Sequence, residues 1–82
     1  MVNSEGNLEK EIKQLIAEEF GFDIEHISRL SRLQEDLGLD SIDTVELALQ
    51  VEDKYNIEIP DKDIEKATTV GYLVDYVQNY KK

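Results

Sequence analysis

The chain has no cysteine, one histidine and one proline in 82 residues, and no apolar run long enough to span a bilayer. Each shortage removes a class of answers. Without thiols there are no disulfides and no thiolate metal sites to add stability, although a single apolar core is near its lower limit at this length. The lone His26 makes hydrolytic catalysis a poor fit. A Ser-His-Asp site would need His26 to meet Ser41, and nothing in their spacing brings them together. A loop histidine without positioned partners is an ordinary surface residue. The opening Met1-Val2-Asn3-Ser4-Glu5 lacks the basic-then-apolar order of a signal peptide, and no stretch suits membrane insertion. The expected setting is the cytosol or an organelle stroma.

Basic residues are also scarce. Nine lysines and arginines face nineteen acids, for a formal net charge of −10. Such a surface repels nucleic-acid phosphates and anionic membranes and steers toward basic patches on other proteins. Acids can also do no more than keep a small domain soluble, so their placement has to decide. A calcium loop starting at Asp61 fails, because Lys66 stands where the turn glycine belongs and Tyr72 where the bidentate glutamate belongs. No specific metal site is expected, only weak divalent binding to an acidic surface.

Apolar periodicity predicts an all-α fold. The first helix should run from about Asn7 to Phe20, with Leu8, Ile12, Leu15, Ile16 and Phe20 on one face, Asn7 as N-cap and Gly21 as stop. A long connection from Phe22 to about Asp40 follows. Its Ile24, Ile27, Leu30, Leu33 and Leu37 are too apolar for a solvated linker, so it should pack on the core, with a helical turn allowed within it. The second helix is expected from Ser41 to about Tyr55, and a short third from about Asp61 to Glu65 after Pro60. The fourth spans about Thr69 to Tyr80, with Val70, Leu73, Val74 and Val77 on one stripe and Thr68 or Thr69 as cap. Ile57-Glu58-Ile59 alternates like a strand but is short, isolated and ended by proline. One domain covers residues 1–82, with Met1–Gly6 and Lys81–Lys82 expected to fray.

The segment Leu37-Gly38-Leu39-Asp40-Ser41-Ile42-Asp43-Thr44-Val45-Glu46-Leu47 says most about function. Asp40 is a good N-cap, and Asp43 three positions on closes an acidic variant of the capping box. Ser41 then sits in the first helical turn, where orphan N–H groups and the helix dipole would stabilise a phosphate ester on its hydroxyl. Capping alone also accounts for serine and aspartate at a helix start.

The second helix is apolar on two sides. At about 100° per residue, Leu47, Ala48, Val51 and Tyr55 share the wider face and should point inward. Ile42, Val45 and Leu49 fall nearly opposite, interleaved with Glu46 and Asp53 and bordered by Asp43 and Glu52. That arrangement suits docking, with apolar contact area and acids that select basic partners. Burial of both sides under the loop and the third helix is the competing reading.

The long serine segment resembles the prosthetic-group attachment site of acyl carrier proteins. The matching residues are Asp40-Ser41-Ile42 and the following Asp43-Thr44-Val45-Glu46-Leu47. Two further segments match in order and spacing, Glu58-Ile59-Pro60-Asp61 and Glu65-Lys66-Ala67-Thr68-Thr69-Val70, so the resemblance spans nearly the whole chain. It implies a discrete carrier of the dissociated fatty-acid-synthesis type: a four-helix bundle with three main helices, one short helix and a long loop between the first two. Ser41, preceded by Asp40, would carry 4'-phosphopantetheine derived from coenzyme A. The protein would be a monomer and no enzyme. Its partners would be a phosphopantetheinyl transferase and the synthesis enzymes and acyltransferases with basic docking patches, and its cargo an acyl chain.

By position, the resemblance makes Asp40, Asp43, Glu46, Glu52 and Asp53 the polar partner contacts and Ile42, Val45, Leu49, Ile59 and Ile64 the apolar ones. Leu47, Val51, Ile59, Ile64 and Ala67 are candidates to line a space for the chain. The sequence leaves open which way Ile59 and Ile64 point. Four features depart from the family pattern: Ile42 in place of leucine, Leu39 where alanine is common, Lys54 where acids are frequent, and the basic run Arg29–Leu33. They leave room for a specialised acyl or aminoacyl carrier of a dedicated pathway. An acidic interaction domain without a prosthetic group is the more distant alternative.

Overall fold

The computed structural model describes residues 4–80, with side chains from Leu8 onward. Four helices follow one another: α1 (Ser4–Phe20), α2 (Ser41–Tyr55), α3 (Asp61–Glu65) and α4 (Val70–Tyr80). A short 3-10 turn at Ile24–His26 interrupts the long connection. Among the described residues there is no strand, only an isolated bridge between Arg32 and Thr69.

The helices meet around one apolar cluster. Leu8, Ile12 and Ile16 come from α1, Leu47, Ala48 and Val51 from α2, and Val70, Leu73, Val74 and Val77 from α4. Spacings of three or four residues recur in each set, which is what a helix needs to place them on one side. Helix α1 ends where expected, with the N–H groups of Gly21 and Phe22 both donating to the Ala17 carbonyl at 2.9 and 3.0 Å. Its start differs from expectation. Asn7 lies inside the helix rather than at its cap, and Ser4, Glu5 and Gly6 are helical rather than frayed. Once a helix is nucleated, each added residue contributes one hydrogen bond, so extension outruns the weak stop signals of Gly6 and Asn7. The remaining residues expected to fray, 1–3 and 81–82, lie outside the described set.

The connection between α1 and α2 packs inward through Ile27, Leu33, Leu37 and Leu39, all buried. Leu30 does not join them and is 80% exposed. Ser28 Oγ accepts from the Leu30 N–H, and Ser31 Oγ accepts from the Ser28 N–H. The tight turn they form throws Leu30 outward. The loop is fastened to the beginning of α4 by backbone bonds: Leu33 N–H to Thr68 O at 2.9 Å, Val70 N–H to Ser31 O at 3.1 Å and Gly71 N–H to Arg29 O at 2.9 Å. Arg29 adds ion pairs to Asp75 on α4 at 2.8 Å and Glu9 on α1 at 3.7 Å. A connection tied this way behaves as part of the scaffold, which lets it form one wall of the site.

Candidate functional site

Helix α2 is set by its caps. The Asp43 N–H donates to Asp40 Oδ1 at 2.8 Å, and the Asp40 N–H donates to Asp43 Oδ2 at 3.3 Å, closing the reciprocal box. Just upstream, Gly38 has a φ of +71°, a left-handed conformation that only glycine adopts at little cost. That turn sends Leu39 into the core and leaves Asp40 at the helix start. Thr44, the one buried polar side chain of the helix, returns its hydroxyl to the Asp40 carbonyl at 3.1 Å. At the far end Asn56 takes the left-handed cap conformation.

Ser41 is the first residue of this rigid element and is exposed. Asp40 already uses the Asp43 N–H, so of the first-turn donors those of Ser41 and Ile42 remain without an acceptor among the described residues. Beside the serine opens a cleft of about 310 Å³. Ser41, Thr44 and Val45 form its α2 side, Ile64, Glu65, Ala67 and Thr68 its α3 side, and Arg32, Gln34 and Glu35 its loop side. Arg32 is held there by Glu35 at 2.5 Å and Asp36 at 3.3 Å. The hydrogen bond to Asp36 raises the guanidinium further above its ordinary value. The Arg32 backbone N–H, and then its guanidinium, hold the Asp36 carboxyl below its own.

On the outer side of Ser41 runs the strip expected from the helical wheel. Ile42, Val45 and Leu49 are 74, 42 and 53% exposed. Leu47, Ala48 and Val51 face the core, and Tyr55 is half-buried with its hydroxyl on Glu11 at 2.8 Å. Ser41 and Val45 border both the cleft and the strip. Burial on both sides is thereby ruled out.

Three residues expected at the partner surface are buried or half-buried. Ile59, just before Pro60, and Ile64, in the single turn of α3, are both buried. Glu52 is half-buried and accepts the Ile59 N–H at 2.5 Å, so its carboxylate anchors the approach to α3. Glu46 and Asp53 are exposed and form no ion pair among the described residues. Asp40 and Asp43 spend one oxygen each on the capping box. Of the candidate chain-lining residues, Ile64 and Ala67 border the cleft, whereas Leu47, Val51 and Ile59 sit in the core behind it. The loop wall of Arg32, Gln34 and Glu35 was not foreseen, and neither were Thr44, Glu65 and Thr68. Of these only Thr44 carried a local signal, three residues after Ser41 on the same helical face.

Residues 10–77 match the family described as the phosphopantetheine attachment site. The chain belongs to that family. The acyl carrier protein from Enterococcus faecalis has a similar structure, with a TM-score of 0.79 and 30% sequence identity over 93% of this chain and 96% of that one. The family is one of carriers rather than catalysts, and its prosthetic group is 4'-phosphopantetheine. The residues present suit such a group: an exposed hydroxyl at a capped helix start, two free N–H donors beside it, and a cleft with an apolar flank next to it.

Proposed function

We propose that this protein is a monomeric cytoplasmic acyl carrier protein. On this reading Ser41 bears the 4'-phosphopantetheine arm, and α2 presents acyl groups to fatty-acid-synthesis enzymes and acyltransferases. The observation that carries the reading is the place of Ser41, an exposed hydroxyl on the line where the cleft meets the apolar strip. When bound, the group supplies a flexible arm ending in a thiol, on which acyl groups ride as thioesters.

The chain's own residues do the rest. The start of α2 holds the phosphate end of the arm through the helix dipole and the free N–H groups. Ile42, Val45 and Leu49 give a partner apolar contact, and Glu46 and Asp53 select basic docking patches and speed encounter. A strip of three side chains is too small for a lasting complex, which suits a carrier that visits enzymes in turn. Tethering then raises the local concentration of the acyl group at each docked active site, to the millimolar range for short flexible links. The cleft offers an apolar chain partial shelter from water.

The test is intact-mass measurement before and after incubation with coenzyme A and a phosphopantetheinyl transferase. A gain of one phosphopantetheinyl group that is absent in Ser41→Ala is expected. No gain by a chain confirmed as unmodified at the start, with a control carrier loaded in parallel, would refute the reading.

A further inference from the structure

Helix α3 has five residues, too few to persist alone, so its position depends on what holds it. Ile64 and Ala67 anchor it by burial. Only one side-chain hydrogen bond joins it to another helix among the described residues: the Tyr76 hydroxyl of α4 donates to Asp63 Oδ2 at 2.8 Å. The donor is itself fixed. Tyr76 is stacked between Tyr72 and Tyr80 along α4, with ring centroids 6.0 and 6.4 Å apart. Its acceptor Asp63 is the immediate neighbour of Ile64, which with Glu65 forms the α3 side of the cleft beside Ser41. A rigid rung on α4 thus pins the lightest wall of the cleft.

We propose that Tyr76 and Asp63 are positioning residues whose hydrogen bond ties α3 to α4, fixes the cleft wall that faces α2, and so sets how long an acyl chain stays sheltered in the cleft. The inference rests on the carrier reading and deepens it. With the bond in place Ile64 keeps a fixed station, and the cleft keeps its apolar flank. Without it no side-chain bond among the described residues ties α3 itself to another helix, and α3 swings away more often, so a sheltered chain is released to water. Burial, and then the bond to Asp63, push the Tyr76 hydroxyl up to about 12, so it remains a donor throughout the neutral range.

Two measurements test this. In the unmodified protein, amide hydrogen exchange compares the parent with Tyr76→Phe, Asp63→Ala and Asp63→Asn. The first two are expected to speed exchange at the Ile64–Ala67 amides roughly fivefold, the weight of one hydrogen bond, with α2 amides unchanged. Asp63→Asn keeps an acceptor oxygen and should stay close to the parent. In protein loaded at Ser41, hydroxylamine cleavage compares an octanoyl with an acetyl thioester. The parent should protect octanoyl over acetyl, and Tyr76→Phe should narrow that gap severalfold while leaving the acetyl rate unchanged.

Exchange that rises equally in α2 and α3, or not at all, overturns the inference, because the bond is then only general stabilisation or nothing. A parent that cleaves both thioesters alike also overturns it, while leaving Ser41 loading and the carrier reading intact. A parent that takes no arm at Ser41 removes both.

Discussion

Gly71→Ala should unfold the protein more easily, although the substitution places a better helix former in a helix. A Cβ at Gly71 would stand 2.9 Å from the Arg29 carbonyl oxygen and 3.2 Å from two atoms of its guanidinium. Carbon-to-oxygen contacts in proteins settle at about 3.3–3.6 Å, so the carbonyl must retreat by roughly half an ångström. That carbonyl cannot move alone, because it accepts the Gly71 N–H at 2.9 Å and belongs to the loop fastened at Ser31 and Leu33. Forced overpacking costs about 1–3 kcal/mol, to which part of a hydrogen bond is added. Against this, alanine is better than glycine by at most about 1 kcal/mol, and by less in the first turn of α4. The net is a loss of about 1–2 kcal/mol, and at roughly 4–8 °C per kcal/mol for a domain this size the melting temperature should fall by about 5–15 °C. Thermal unfolding by circular dichroism measures it. Because the nearest obstacle is backbone, adding Arg29→Ala should not restore stability. An unchanged or higher melting temperature in Gly71→Ala, or full rescue by Arg29→Ala, would refute the reasoning.

Three further outcomes are expected. Asp40→Ala removes the acceptor for the Asp43 N–H and should cost about 1 kcal/mol in urea unfolding, whereas Asp40→Asn retains most of it; equal losses would deny the cap its role. Charge reversal of Glu46 and Asp53 to lysine should lower affinity for a phosphopantetheinyl transferase by about tenfold at low salt, mostly through the association rate, and less as salt rises. A salt-independent change would mean that the acids act by contact rather than steering. For Tyr76 the folded value lies above the unfolded one of about 10, so its contribution is fully present below pH 10. It is lost as pH climbs from about 10 to about 12. Over that interval the parent should lose more stability than Tyr76→Phe, and parallel curves would show that the hydroxyl is not buried and bonded as described.

Helix α2 was legible as an element because the signals that bound it are local. Its cap, its acidic box partner and its two faces all lie within one turn of what they control. Helix α3 was legible as an element but not in its orientation. A single turn after Pro60 has no period to read, so Ile59 and Ile64 could be assigned to either side until burial placed them inside. Leu30 misled because apolar character was all the sequence offered, while the two serine hydroxyls that turn it outward act through geometry. The loop wall of the cleft depends on Leu33 meeting Thr68 and Ser31 meeting Val70, pairings 35 and 39 residues apart that no periodicity encodes.

The acids show why composition could suggest a docking surface without locating it. Five carboxylates on or beside α2 look alike in the sequence, yet their hydrogen bonds divide them. Asp40 and Asp43 close the helix start on one another, and Glu52 takes the Ile59 N–H at the approach to α3. Each of these holds the frame of the site, and withdrawing it for a partner would expose an unsatisfied donor at a cost of about 1–3 kcal/mol. Glu46 and Asp53 have no such duty among the described residues, so on the proposed reading a basic partner engages them without loosening the carrier. The negative charge of −10 is therefore a crude guide. The charge that can select a partner is the fraction left over after the backbone has been satisfied, and on α2 it lies along the same exposed strip as Ile42, Val45 and Leu49.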